Sequence, residues 1–357
     1  MKVDIVSLFG TFNYGNRLQN YAVQKTLEGM GCEATVIYVQ SPKTTFREFA
    51  KKVYFSSSVL RLLYKVPDHI VLKYKRQQNF EKFNAEYIKT KRYPSVKQIK
   101  DSDYFVLGSD QVWNPKRYDS VKKELFFLTF TKPKKKVCFS PSFGINDIPE
   151  KWRVYFSEQL KTFPELSVRE RQGAKIIKDL TGRDAEVLID PTLMLDGDEW
   201  REIAKCPKNV DTVTSYILDY FLGGVPENAV KKGDWIANRI GARRYNMFDT
   251  STPGLYTSGP AEFLYLIDHA KLILTDSFHA CIFAFLLEKP FILFAREGED
   301  TDMLSRFETL FSTFDLIRKY DGNESENDIF ECNYQEGYKI LKNERKKILS
   351  FLNRNIK

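Results

Sequence analysis

The chain reads as an α/β protein of two successive units, each a mostly parallel sheet with helices between the strands. Three observations predict this. Val3–Phe9, a Gly/Asn loop, an amphipathic stretch and Ala34–Val39 make a βαβ opening. The alternation of short apolar runs with helical spacings continues to about residue 195, lapses, and restarts at Val213. Polar clusters recur where the strands end, which is where open parallel sheets bind ligands. The boundaries expected are 1–195 and 208–333, with a basic helical insertion near 41–100 and a terminal helix over 334–357.

The first strand ends at Gly10, and Gly10 to Asn16 is a turn-rich loop. Leu18, Tyr21 and Ala22 then recur at helical spacing until Gly29 and Gly31 stop the helix. The loop is not G-x-G-x-x-G, so a dinucleotide reading is weak, although its small residues leave amides free for a phosphate or a sugar. Between Ser41 and Phe80 there are nine Lys/Arg against two acidic residues, mixed with Phe46, Phe49, Tyr54, Leu60 and Leu63. Such a segment is more often a solvated face packed on its domain than a membrane or nucleic-acid surface. Phe80–Tyr87 is expected as a short helix and Tyr93–Ile99 as a linker.

Asp103–Leu107 is the next strand, and Gly108 to Pro115 follows it with a carboxylate, amides and an indole in a few residues. Trp113 could stack on a sugar face or fill the loop. Strands at Val137–Ser140, Leu166–Val168 and Val187–Ile189 end in Pro141–Gly144, Arg169-Glu170 and Asp190-Pro191. Helices over Glu150–Thr162 and Gly173–Leu180 separate them. Asn13, Asp110, Arg169 and Asp190 would share one rim if the sheet is parallel. Each alone reads as a structural ion-pair or turn residue.

A helix over Asp196–Lys208 leads to the second unit. There, strands at Val213–Leu218, Arg244–Phe248, Lys271–Thr275 and Phe291–Phe294 alternate with helices at Lys232–Ile240, after Gly259, and at Ala280–Leu287. Helices at Thr301–Thr313 and Tyr334–Asn355 complete the chain. Asp276-Ser277-Phe278-His279 stands at a strand end and opens a helix. By spacing alone, Ser277 is equally a helix N-cap with His279 in the first turn, or half of a binding site.

Composition narrows the classes. An apolar content of 43% excludes a disordered chain, and no run of about eighteen apolar residues exists to span a membrane. The five cysteines include no C-x-x-C pair, which argues against a zinc site or a disulfide framework. The start lacks a signal-peptide layout, so the cytoplasm is expected. A formal charge of +8 suits an anionic partner, and equally an ordinary solvated surface.

Six pieces taken together resemble the polysaccharide pyruvyl transferase family. They are Asn13-Tyr14-Gly15-Asn16 with Leu18-Gln19 and Tyr21-Ala22; Gly108 to Asn114; Ser142-Phe143-Gly144; Ser167 to Glu170; Asp190-Pro191; and Thr275 to His279 with Lys289-Pro290-Phe291. The resemblance implies two Rossmann-like domains facing a cleft, as in GT-B enzymes, with the final helix packing back across them. It implies transfer of a pyruvyl group from phosphoenolpyruvate to two hydroxyls of a sugar, giving a ketal, with no organic cofactor and no metal. His279 then matches the family's functional histidine, with Asp110 as its catalytic partner. Arg169 would hold the donor's carboxylate or phosphate, and Asn13, Asn16 and Trp113 would touch the acceptor. Better-known members have an arginine where Ser277 stands, so Ser277 and Arg296 are the donor-side candidates here. The acceptor is expected on a lipid-linked or nucleotide-linked intermediate, with the basic segment resting on the inner membrane face. Two other readings compete. One is a GT-B glycosyltransferase using a nucleotide-sugar donor. The other, a polyanion or nucleic-acid binder, ranks last because no RRM, KH or zinc-finger pattern is present.

Overall fold

β1 (Lys2–Val6) is buried along four of its five residues, as a central strand covered on both faces must be. The structure, a computed structural model, describes residues 1–9, 12–40, 67–296, 304–322, 325–326 and 328–357. α1 (Tyr14–Gly29) leads to β2 (Glu33–Val39), which pairs in parallel with β1. α2 (Asp68–Tyr87) precedes β3 (Thr90–Tyr93), and β4 (Tyr104–Leu107) takes the other side of β1. After α3 (Ser120–Phe126), β5 (Lys136–Cys138) completes a parallel sheet of order β3-β2-β1-β4-β5. This order reverses between β1 and β4, so the crevice for a ligand lies between the loops that leave those two strands.

α4 (Glu150–Leu160) and β6 (Ser167–Val168) come next, followed by α5 (Arg171–Thr181) and β7 (Glu186–Val187). β6 and β7 pair with each other. They sit beside the end of β5, where Ser167 Oγ donates to Cys138 O at 2.7 Å and Arg169 N to Pro141 O at 3.0 Å. Arg169 and Asp190 thereby reach the same rim as the β1 and β4 loops.

α6 (Gly197–Ile203) opens with a capping box, Asp196 with Glu199. β8 (Tyr216–Tyr220), α7 (Glu227–Ile240), β9 (Arg243–Asn246), the one-turn α8 (Pro253–Tyr256) and α9 (Pro260–His269) follow. β10 (Leu272–Thr275), α10 (Phe278–Leu286) and β11 (Phe291–Leu293) complete a second parallel sheet, of order β11-β10-β8-β9. Its reversal falls between β8 and β10. There the Asp276 carboxylate, after β10, accepts from Leu222 N at 2.7 Å and Gly223 N at 2.9 Å, after β8.

α11 (Leu304–Phe314) packs on both α5 and the last helix, α12 (Gln335–Asn355). α12 returns over the first unit, as the resemblance implied. Arg345 donates to Leu193 O and Leu195 O, each at 2.7 Å, and Arg354 pairs with Glu165 and Glu186. One apolar core runs from the first sheet into the second, with Tyr14 stacked on Phe263 at 4.5 Å and Trp200 edge-on to Phe283 at 5.0 Å. The two units therefore meet through buried side chains as well as across a polar crevice.

Two expectations change. From Pro67 onward the supposed insertion belongs to the first unit's own alternation, because α2 leads into β3 and β3 pairs with β2. Thr90–Tyr93 is polar and only Tyr93 is buried, so this edge strand lacks the apolar alternation that marks the others. Tyr93 is thus a strand residue, and Val96–Gln98 a 3-10 turn, where a linker was expected. The basic segment's residues 41–66 lie outside the described residues. Among the described residues no helix is long and apolar enough to cross a membrane.

Candidate active site

The first turn of α1 meets the first turn of α10, one from each unit. Gly15 makes this approach possible: a Cβ there would lie 2.1 Å from His279 Nδ1 and 2.3 Å from His279 Cγ. Asn13 caps α1 by accepting from Asn16 N at 3.0 Å, and its own side chain is exposed at the crevice. Ser277 caps α10 by accepting from Ala280 N at 3.4 Å. Both helix starts bring positive dipole ends toward the junction, an arrangement that favours an anion.

Asn16 is buried and its Nδ2 donates to Asp110 Oδ2 at 3.4 Å. Asp110 is a non-glycine residue at φ 71°, in the left-handed region that costs free energy outside glycine. The loops after β4 and β5 hold it there: Val112 N, after β4, and Ser142 N, after β5, both donate to Asp110 O at 2.8 Å, and Gln111 N donates to Asp110 Oδ1 at 2.8 Å.

Arg169, at the end of β6, is 3% exposed. Its Nη1 donates to Asp190 Oδ2 at 2.6 Å, while Nη2 lies 4.0 Å from Asp110 Oδ1 and Nε 4.0 Å from Glu170 Oε2. The last two distances are too long for hydrogen bonds, and Nε and Nη2 have no hydrogen-bond partner among the described residues. Asp190 is fixed by Thr192, whose N and Oγ1 donate to Oδ1 at 2.9 and 2.7 Å. His279 Nε2 sits 3.7 Å from Asp190 Oδ2, also beyond hydrogen-bond reach, and is buried without a hydrogen-bond partner among the described residues. Glu170 Oε1 accepts from Phe143 N at 2.8 Å and Ser142 Oγ at 3.1 Å, tying the loop after β5 to the same centre.

The charges set one another. Burial would raise the Asp110 carboxyl, yet Arg169, His279 and Arg117 together hold it below the usual carboxylate range. Asp190 is also opposed by burial and is held far lower still, by His279, Arg169 and Thr192. Burial would lower Arg169, but Asp190, Asp110 and Glu170 keep it firmly protonated. The centre is therefore an ionised network around one arginine, with a histidine and two guanidinium nitrogens left for a guest.

Asn13, Asn16, Asp110, Arg169, Ser277 and His279 are thus brought to one junction. Arg296 is beside it, but its Nε donates to Asp276 Oδ2 at 2.9 Å and its Nη2 to Asp276 O at 3.0 Å, so it braces the loop that opens α10. Trp113 is corrected outright. It is fully buried, packs on Phe143 at 5.3 Å and Phe163 at 5.9 Å, and its Nε1 donates to Phe126 O at 3.1 Å. No ring face is left for a sugar, and Trp113 anchors the loop that holds Asp110. Sequence reading missed three participants: Gly15 as a contact, Glu170 as a brace, and Arg306 of α11. Arg306 is 5% exposed and lies over the Phe278 ring at 5.5 Å.

Two parallel α/β units sharing a polar junction, with a terminal helix returning over the first, define a GT-B-like architecture. The family model of the polysaccharide pyruvyl transferases matches residues 13–298, and the chain belongs to that family of transferases. No match is found among curated protein sequences. Similar solved structures include a glycosyltransferase from Rickettsia africae ESF-5, 13% identical, covering 100% of this chain and 98% of that one at a TM-score of 0.41. The UDP-GlcNAc 2-epimerase of Methanocaldococcus jannaschii is 13% identical, with 98% and 100% covered and a TM-score of 0.42. Acinetobacter baumannii MurG is 11% identical, with 97% and 94% covered and a TM-score of 0.38. Likeness of this degree says nothing about chemistry.

Proposed function

We propose that this transferase moves a pyruvyl group from phosphoenolpyruvate onto two hydroxyls of one sugar. The observation that carries the reading is the pairing of buried nitrogens without hydrogen-bond partners among the described residues at one junction, the Arg169 donors Nε and Nη2 with His279 Nε2, between two helix N-termini. Buried donors without partners cost free energy unless a ligand supplies acceptors. A donor bearing a carboxylate and a phosphate supplies several.

The bond changes are as follows. The donor's methylene takes a proton and becomes a methyl, leaving its C2 electrophilic. One sugar hydroxyl adds to C2 and loses its proton; the C2–O bond to phosphate breaks; the second hydroxyl adds and loses its proton. Of the two hydroxyl protons, one balances the methyl and the other leaves with the phosphate. His279 and Asp110 are the groups placed to exchange these protons. Arg169 offsets the negative charge of donor and leaving phosphate. Asn13 and Asn16 line the acceptor side, and Ser277 orients the α10 amides. An acceptor on a lipid carrier would bring the protein to the inner membrane face, where the basic residues between Ser41 and Arg76 would favour anionic headgroups.

The test incubates the protein with phosphoenolpyruvate and lipid-linked or nucleotide-linked sugars, following phosphate release and the acceptor's mass. Pyruvylated product with stoichiometric phosphate is expected. Nucleotide release from a sugar nucleotide, with phosphoenolpyruvate inert, would replace this reading with a glycosyltransferase.

A further inference from the structure

We infer that Arg76, on α2, is a positioning residue for His279: its guanidinium clasps the two units and so sets the register of the second unit's histidine against the first. The inference takes the role of His279 in turnover from the pyruvyl reading, but not the clasp itself.

Arg76 is 3% exposed, and its Cζ lies over three rings. Tyr14, the first residue of α1, is at 5.1 Å, Phe248 after β9 at 4.8 Å, and Tyr256 of α8 at 5.3 Å. α2 and Tyr14 belong to the first unit, Phe248 and Tyr256 to the second. Nε and Nη2 of Arg76 have no hydrogen-bond partner among the described residues, so ring faces hold that side of the guanidinium. A desolvated guanidinium is strongly attracted to such faces. Two hydrogen bonds cross at the same place. The Tyr14 hydroxyl donates to Ser258 O at 2.8 Å, and Asn79 Nδ2, one turn on from Arg76, donates to Thr257 O at 2.7 Å. The apolar core shared by the units resists separation but has no preferred direction. The caged cation and the two bonds are directional, and they fix how the units face.

The path from the clasp to the histidine is one residue long. Gly15 follows Tyr14, and a Cβ on it would lie 2.1 Å from His279 Nδ1. Asp190, 3.7 Å from His279 Nε2, is also a first-unit residue. His279 rides on α10 of the second unit, yet the groups flanking both ring nitrogens come from the first. Its cover therefore depends on how the units are seated. Methionine at position 76 would keep the apolar stem in the cage but remove the cation, whereas lysine would restore the charge without the planar fork.

The experiment labels the wild type, R76M and R76K with diethylpyrocarbonate, which acylates accessible imidazoles. Each histidine is read by peptide mass, and melting curves confirm folding. The chain has three histidines, and the exposed His69 and His269 are internal references. Relative to them, His279 should react about tenfold faster in R76M than in wild type, because labelling of a covered group follows how often it is uncovered. R76K should stay within about threefold of wild type, since it keeps the charge over the rings. Where R76M does not fold, F248L, which removes one ring of the cage at an exposed position, takes its place. With phosphoenolpyruvate as donor, kcat should fall about tenfold in R76M and KM change by less than about twofold, because misplacing a reacting group costs rate rather than binding. Unchanged His279 labelling in a folded R76M or F248L would overturn the inference and leave the pyruvyl reading standing. Equal acceleration in R76M and R76K would also overturn it, because the cation would then contribute nothing. Faster labelling with an unchanged kcat would overturn the positioning role. Labelling as expected in a protein inert toward phosphoenolpyruvate would uphold the clasp and overturn the pyruvyl reading.

Discussion

Gly15→Ala tests the junction with a single methyl group. The position is helical and carries no positive φ, so in isolation alanine would favour the helix by ~1 kcal/mol. Here the added Cβ falls 2.1, 2.3 and 2.8 Å from His279 Nδ1, Cγ and Cβ. Ordinary contact needs about 3.5 Å, so the ring or its helix must retreat by roughly 1.4 Å. Overpacking of this kind costs ~1–3 kcal/mol, partly offset by helix propensity, so the net loss of stability should be no more than ~2 kcal/mol. Turnover should suffer far more, because displacing a reacting group by about 1 Å costs on the order of a hundredfold. Gly29, in the same helix, has nothing among the described residues within 4 Å of its would-be Cβ and serves as the control. G29A should keep full turnover. The assay pairs phosphate release with thermal melting. G15A turning over at the wild-type rate would refute the claim that His279 acts from this packed position.

Three further outcomes follow. H279A should lose roughly a hundredfold in turnover and melt near wild type, whereas R169A should also lose ~3–5 kcal/mol by leaving Asp190, Asp110 and Glu170 without their shared cation; equal melting of the two variants would count against this. The depressed Asp190 carboxyl contributes stability that is complete above its unfolded pKa of about 3.9 and is lost as pH falls toward its folded value, so the gap between wild type and D190N should be widest at neutral pH and narrow below about pH 4. W113F should keep turnover and lose ~1 kcal/mol with the bond to Phe126 O, and a selective rise in acceptor KM would restore a sugar-binding role for the indole.

Much of this architecture is legible in the chain because buried parallel strands are short apolar runs and the residue that ends each run is forced to the rim. That logic found Asp110, Arg169, Asp190 and His279. It failed where the determining fact is a tertiary contact. Gly15 reads as a turn residue until His279 arrives from the other unit. Arg306 looks like the charged face of an amphipathic helix, because nothing local marks it as buried. Trp113 could be read either way, since an indole in a polar loop can face outward to a ligand or inward as an anchor, and the surrounding phenylalanines decided the matter. Arg296 was found as a cation but not as a brace, because its tie to Asp276 depends on how two loops cross.

The close approach of α1 and α10 also bears on how the molecule can fail. Gly15 and His279 belong to different sheets and are joined through a long intervening chain, whereas each sheet closes its own hydrogen bonds. A sub-global opening that merely parts the two units would spare both ladders and yet erase the proposed reaction centre. On the proposed reading chemistry belongs to the docked pair, so loss of activity would report separation of the halves before unfolding of either.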